Sequence, residues 1–284
     1  MILQDIINII ESVAPLSYQE DWDNSGLQVG DRNAEVNAAL LTVDVTESVV
    51  KEAVALGCDL IVSHHPLLFR GLKQITGSTP QERCVLKVIQ HNIAIYSAHT
   101  SMDSWLHGVS GRMAEKLGIK DYRILIPSAT HAEAGLGVIG ELSQPMDNEA
   151  FVAKVGRSFG KLEEWGVEGA ALRWVEGCNQ QVKMIAICGG AGAEFMEQAI
   201  SQGADAFVSA DFKYHELQNA YQRITVVDMD HWVSEHFTRE IFEELLTPYI
   251  HTFIASTDKS PVRYCKPLSF NLKLKKNKLK KKNN

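Results

Sequence analysis

Residues 40–65 read LLTVDVTESVVKEAVALGCDLIVSHH, and this stretch decides the fold. The unbroken apolar run AALLTV at 38–43 is what a strand buried on both faces requires. Thr46 is a helix N-cap residue, and Gly57 is the kind of residue that ends such a helix in the left-handed conformation. DLIVS at 59–63 is the next strand. Downstream, Thr79-Pro80-Gln81-Glu82 spells a capping box with proline at the first helical position. Asn92 closes that helix, and IAIYSA at 93–98 is a third strand. Strand and helix in alternation predict parallel pairing through crossover helices. Upstream, Leu3, Ile6, Ile7, Ile10 and Val13 share one helical face, and the turn-rich DWDNSGLQVGD (21–31) follows.

The pattern recurs at 186–211, AICGGAGAEFMEQAISQGADAFVSAD. Laid over 40–65 without a gap, it sets Ala53 on Ala199, Gly57 on Gly203, Asp59 on Asp205, Val62 on Val208 and Ser63 on Ser209. ITVVDMDH (224–231) likewise echoes IAIYSAHT (93–100). The expected fold is therefore α/β: two related, closely packed lobes from an internal duplication, with parallel-rich sheets and helices on their faces. The expected boundaries are 1–125 for the first lobe, 126–180 for a strand-rich connector, 181–265 for the second lobe and 266–284 for a basic, disordered tail.

The bulk numbers agree with a globular chain: 284 residues, 45% hydrophobic and 22% charged. No apolar run approaches the ~20 residues of a membrane span, and LQDIINIIESV (3–13) is acidic where a signal peptide would be basic. The five cysteines are scattered with no C-x-x-C pair, which fits a reducing cytoplasm. The last fourteen residues hold seven Lys and no acid; removing them from the net −7 leaves −14 on the first 270. An acidic body argues against nucleic acid gripping the folded surface, so any such contact falls to the tail. A run of like charge that buries nothing reads first as a solvated end.

Three clusters carry the chemistry. His64 and His65 follow directly on a buried strand, with Pro66 stiffening the exit. HTSMD (99–103) also follows a strand, and DMDHWVSEH (228–236) takes the echoed place in the second lobe. Ligands in open α/β sheets gather at the carboxyl ends of strands. His231 and Glu235 are four apart, so a helix turns both the same way. His64, His65, Asp103, His231 and Glu235 give five side chains, more than one tetrahedral zinc needs. Two metals about 3.5–4 Å apart, bridged by Asp103, would each see three of these contacts. Mixed imidazole and carboxylate ligation suits Zn, Fe or Mn.

Around them, His99 and His215 exceed the ligand count and are candidates for general acid–base work. Asp211 reads equally as a ligand-orienting group or a helix N-cap, and Lys213 as a contact for phosphate. Asp44, at a strand end, reads first as a turn cap and second as a group that supports a ligand. CGGAG (188–192) joins a strand to a helix, where backbone N–H groups can cradle phosphate, although a plain tight turn is the better reading of this feature alone. The Trp residues are dispersed and read as core.

WDNSGLQVG (22–30), VSHHPLLF (62–69), HTSMD, the block from GGAG to GADAFVSADFKYHE (189–216) and DHWVSE (230–235) together resemble the Nif-like dinuclear metal-centre family. Its members are often labelled GTP cyclohydrolase I type 2 homologs, and the match runs from about residue 5 to 264. The resemblance implies a duplicated α/β fold, a two-metal site drawn from both lobes and a ring-like homohexamer built from trimers. It puts the family's ligands on the five residues already reached from spacing, with His99, Lys213 and His215 nearby. Some relatives insert a large domain after the first lobe, for which 126–180 is too short. The expected function is metal-dependent hydrolysis of a nucleotide or related phosphorylated compound. The alternative is a non-catalytic protein that holds or hands on metal, or a regulatory interaction protein.

Overall fold

The computed structural model describes residues 1–159 and 172–263. The chain opens with α1 (Leu3–Glu11), whose Leu3, Ile6, Ile7 and Ile10 are buried as their spacing predicts. There follow β1 (Gly26–Val29), β2 (Ala38–Thr42), α2 (Glu47–Leu56), β3 (Leu60–Ser63), α3 (Pro80–Gln90) and β4 (Ala94–Ser97). Thr46 caps α2 by accepting from Val49 N, and Gly57 ends it at φ 68°. Thr79 caps α3 in the same way, but the return arm of the capping box is not made. Glu82 instead accepts from Thr76 N and Ser78 N, and so ties down the end of the long loop before the helix.

Short α4 (Thr100–Asp103) and α5 (Val109–Lys116) lead to β5 (Tyr122–Pro127), β6 (Gly135–Asp147) and α6 (Asn148–Phe159). Beyond the undescribed stretch come β7 (Arg173–Val175), β8 (Gln181–Ala191), α7 (Met196–Ser201), β9 (Ala206–Ala210) and α8 (Tyr214–Ala220). The last elements are β10 (Thr225–Met229), α9 (His231–Glu235), α10 (Thr238–Leu246) and β11 (His251–Ile254). Among the described residues no helix is long and apolar enough to cross a membrane.

Two sheets result, ordered β1-β4-β3-β2-β11 and β5-β6-β8-β9-β10-β7. Each has a parallel centre, β2-β3-β4 and β8-β9-β10, and an antiparallel edge, β1 or β7. Strands β2, β3, β4, β9 and β10 are buried throughout, because helices or the other lobe cover both faces. The cores follow this layering. Leu41, Val62 and Tyr96 pack with α1 and α10, while Leu40, Ile61 and Ile95 pack with α2 and α3. In the second sheet Ile187 and Val208 pack with α5 and α6, and Ala186 and Phe207 with α7 and α8.

The ungapped echo is reproduced in three dimensions. Ala39 pairs with Leu60 and Leu41 with Val62, while Ile185 pairs with Ala206 and Ile187 with Val208. Leu60 then pairs with Ala94, and Ala206 with Thr225. Asp59 Oδ2 accepts from Asn37 N and Ala38 N; Asp205 Oδ2 accepts from Lys183 N and Met184 N, the same positions in the second unit. Gly203, at φ 80°, matches Gly57.

The expected boundaries are redrawn by the sheets. The connector 126–180 supplies β6 and β7 to the second sheet, where the long β6 pairs with both β5 and β8. From α10 onward the chain crosses back: α10 packs on α1, and β11 extends the first sheet beside β2. Neither event is legible locally, because an edge strand carries no mark of which sheet it joins. The tail 266–284 lies outside the described residues.

Candidate metal centre

The two central strand triplets end at one place, and the five side chains expected as ligands meet there. After β3 the backbone continues its ladder with β2, His64 N donating to Thr42 O and His65 N to Val43 O. His64 is fully buried, and its Nδ1 lies 2.9 Å from Ala98 O. A carbonyl only accepts, so Nδ1 carries the proton and Nε2 offers its lone pair. His65 Nδ1 lies 2.9 Å from Asp44 Oδ1, and His231 Nδ1 lies 2.7 Å from Asp211 Oδ2. His99 Nδ1 lies 2.8 Å from Asp23 Oδ1. Four imidazoles are thus oriented by the same device, an acceptor behind Nδ1 that turns Nε2 inward.

The carboxylates stand opposite. The single turn of α4 delivers Asp103, whose Oδ1 is 3.7 Å from His64 Nε2. On α9, Asp230 caps the first turn through Val233 N, and the i, i+4 pair His231 and Glu235 faces the cluster. Glu235 Oε1 is 3.6 Å from His64 Nε2, and its Oε2 is 2.9 Å from His65 Nε2 and 3.0 Å from His231 Nε2. Neither Oε2 approach has hydrogen-bond alignment, and His64 Nε2, Asp103 Oδ1 and Glu235 Oε2 are all buried without a hydrogen-bond partner. Burying such atoms unsatisfied costs about 1–3 kcal/mol each, more for charged groups. Three such atoms in one cluster, with His64 Nε2 near both carboxylates, are the signature of a cation site. Two overlapping triads, His64–His65–His99 and His65–His231–Glu235, each hold their donor atoms within 4.8 Å. The residues present fit a metal of borderline softness.

The electrostatics say the same. Burial opposes charge on His65, yet hydrogen bonding to Asp44 and the charge of Glu235 push its pKa up to about 11. His231 is raised to about 9 against burial by Glu235 and Asp211, and His64 is raised against burial by Asp103 and Glu235. Burial lifts Asp103 above the usual carboxylate range; the His64 charge and the other imidazoles hold Glu235 well below it despite burial. In a cluster without a cation, protons on the imidazoles supply the positive charge that the buried Glu235 carboxylate demands.

Several supporting residues went unread in the sequence. Asp23 accepts from Ser25 Oγ, Asn24 N, Thr100 N and Thr100 Oγ1 as well as His99, and these donors hold its pKa below the usual range against burial. Gly190, at φ 67°, gives Glu235 its room: a Cβ there would sit 2.2 Å from Glu235 Oε1. Asp44 and Asp211 orient histidines; Asp44 is not merely a turn cap, and the N-cap of α8 is Lys213, not Asp211.

Other expectations are not brought to the cluster. His215 is exposed on the first turn of α8, its Nδ1 3.3 Å from Gln218 Oε1 and its ring beside Tyr214; none of its described contacts is with the cluster. Lys213 is exposed and lies 3.9 Å from Glu216. Residues 188–192 form no phosphate-cradling loop, because β8 runs through Ala191 and hydroxyls occupy the glycine N–H groups. Gly189 N donates to Ser110, Gly190 N to Ser234 and Gly192 N to Ser209. Trp22 departs from the core reading, being 60% exposed.

Known proteins share this arrangement of chain. A GTP cyclohydrolase 1 type 2 homolog of Clostridium perfringens is 37% identical over 236 residues, 83% of this chain and 87% of that one. One of Clostridium acetobutylicum is 34% identical over 251 residues, covering 88% and 91%. The crystal structure of a Staphylococcus aureus hypothetical protein matches with TM-score 0.85 at 27% identity over 93% of this chain and 99% of that one. A Bacillus cereus protein related to NIF3 has the same fold, with TM-score 0.82 at 24% identity over 93% and 99%. The family profile of Duf34/NIF3, NGG1p interacting factor 3, spans residues 1–261. The chain belongs to the Duf34/NIF3 family.

Proposed function

We propose that this chain binds two divalent transition-metal ions, Zn, Fe or Mn, on His64, His65, Asp103, His231 and Glu235, and hydrolyses a nucleotide or related phosphorylated compound. The observation that carries the reading is the set of buried, unpartnered donor atoms, His64 Nε2, Asp103 Oδ1 and Glu235 Oε2, gathered in one cluster. The names of the clostridial relatives support the substrate class. Bound metals would supply Lewis acidity and lower the pKa of water. Proton transfer falls to His99, whose ring centroid is 5.2 Å from that of His64 and 5.4 Å from that of His65. Ionised Asp23 holds the proton on His99 Nδ1, leaving Nε2 to take a proton from water or return one to a leaving group. His215 has no part in this assignment.

The assembly proposed is a homohexamer in a reducing cytoplasm, with the two units descended from one by duplication. The matched register of the units supports the last point, and the unpaired thiols of Cys58, Cys84, Cys178 and Cys188 support the compartment. The hydroxyl-filled glycine loop favours the second reading, a non-catalytic metal-binding or metal-handling protein, because it removes one means of gripping phosphate. Elemental analysis of purified protein, followed by a hydrolysis screen of the metal-loaded chain across nucleotides and simple phosphate esters, tests both. Near two metals per chain with turnover supports the hydrolase; the same metal content with no turnover supports the second reading.

A further inference from the structure

The loop over residues 64–79 joins β3 to α3 without helix or strand. It exceeds the roughly 12–15 residues beyond which such connections are uncommon and usually functional. It is held by the segment that also orients His99. Asn24 Nδ2 donates to Leu68 O at 2.7 Å, and Leu68 N donates to Gln28 Oε1 at 3.1 Å. Gln28 Nε2 in turn donates to Asn24 O at 2.7 Å. This clamp sets Phe69 beside Trp22, with ring centroids 6.0 Å apart. Trp22 is 6.0 Å and Phe69 6.4 Å from the ring of His99, and both meet it edge-on. The three rings form one wall that begins at the metal cluster and ends in solvent.

Aromatic rings that only pin a loop bury their faces, since covering apolar area is favourable. Here Trp22 is 60% and Phe69 43% exposed, although backbone and side-chain hydrogen bonds hold their surroundings in place. Exposed, pre-positioned aromatic rings beside a reactive cluster suit a flat π-system, which stacks with little demand on its hydrogen-bonding pattern.

We infer that Trp22 and Phe69 form the stacking subsite for the planar heteroaromatic ring of the substrate, placing the remainder of the molecule toward His99 and the metal cluster. This rests on the hydrolase reading for what the ring belongs to, and the test separates the two. Calorimetric titration of the metal-loaded full chain uses GTP, which has a ring, and tripolyphosphate, which has none. The wild type should bind GTP more tightly than tripolyphosphate. Trp22→Ala and Phe69→Ala should each weaken GTP about tenfold, the usual scale for losing one stacking partner. Both should leave tripolyphosphate affinity and metal content unchanged, which also shows that the variants fold. Trp22→Phe should restore most of the affinity. GTP binding the wild type no more tightly than tripolyphosphate, or as tightly after Trp22→Ala, overturns the subsite. If GTP is bound and cleaved equally by wild type and Trp22→Ala, the hydrolase stands and the subsite falls. If Trp22→Ala weakens GTP but no compound is turned over, the subsite stands and the hydrolase falls.

Discussion

The unit from β2 to β4 and the unit from β8 to β10 share one register and carry different chemistry at their strand ends. After β3 the first unit has His64 and His65; the matching positions after β9 are Ala210 and Asp211. After β4 come His99 and Asp103, where the second unit has Asp230 and Ser234. Asp44, behind His65, corresponds to Gly190, which clears space for Glu235. So one backbone position bears an inward imidazole in the first unit and, as Asp211, an acceptor that orients an imidazole in the second. The scaffold fixes where the strand ends meet, and side-chain choice at those ends decides which positions offer candidate ligands and which brace them. The second unit offers its candidate ligands one residue later, as the His231–Glu235 pair on α9.

The sharpest way to break this division is to exchange roles at matched positions. Asp103→Ala removes a buried carboxylate proposed to serve both metals, while Ser234→Ala removes a hydroxyl that only accepts from Gly190 N and donates to His231 O. Asp103→Ala should therefore release most of the metal and Ser234→Ala little of it, as read by elemental analysis after dialysis. Wild-type metal content in Asp103→Ala would sink the bridging role.

Proton transfer gives the next contrast. His99→Ala should keep metal and slow turnover about 10²–10⁴-fold, the common scale for losing general acid–base help. His215→Ala should keep both metal and rate. Loss of metal in His99→Ala would make His99 a ligand, in line with its place in the His64–His65–His99 triad. A rate loss confined to His215→Ala would reverse the assignment.

A smaller effect separates Asp44 from Gly190. Asp44→Asn keeps a side chain that can still meet His65 and should weaken metal affinity by roughly 10–100-fold or less, the range for orienting partners. Gly190→Ala drives a methyl into Glu235 Oε1 and should weaken it more. Competition with a chromogenic chelator ranks the two, and the opposite order would show that Glu235 is not a ligand.

How much of this was legible follows from range. The strands, their caps and the echo between units are local patterns of period and spacing, and the five residues of the cluster sit at strand ends or one helical turn beyond. Asp23 reaches His99 across 76 residues of sequence and Ser234 reaches Gly190 across 44, and no local signal marks either pairing. His215 was drawn to the site because it follows a matched strand, yet α8 carries it to the outer surface. The phosphate reading of CGGAG, already the lesser one, falls for a related reason: three serines from three other elements fill the N–H groups that bare glycine spacing advertises. The connector went astray because β6 and β7 declare themselves strands without declaring a sheet.

The smallest expected effect tests whether the first unit's brace is electrostatic. Asp23 accepts from five donors, including His99, and its pKa in the folded chain is lowered. Because the folded value lies below the unfolded one, near 3.9, its stabilisation is present above that pH. It is lost progressively as the pH falls toward the folded value. Asp23→Asn removes the charge while keeping the shape, and hydrogen bonds to a charged group contribute about 1.5–3 kcal/mol. The variant should therefore unfold at lower denaturant concentration than wild type at pH 7, and the gap should narrow below about pH 4, where the Asp23 carboxylate of the unfolded wild-type chain takes up a proton while the folded one stays ionised. Urea midpoints of the metal-free proteins across pH 3–7 read this directly. A gap that stays constant with pH would mean that Asp23 braces His99 by shape alone, and that its ionisation contributes nothing to the fold.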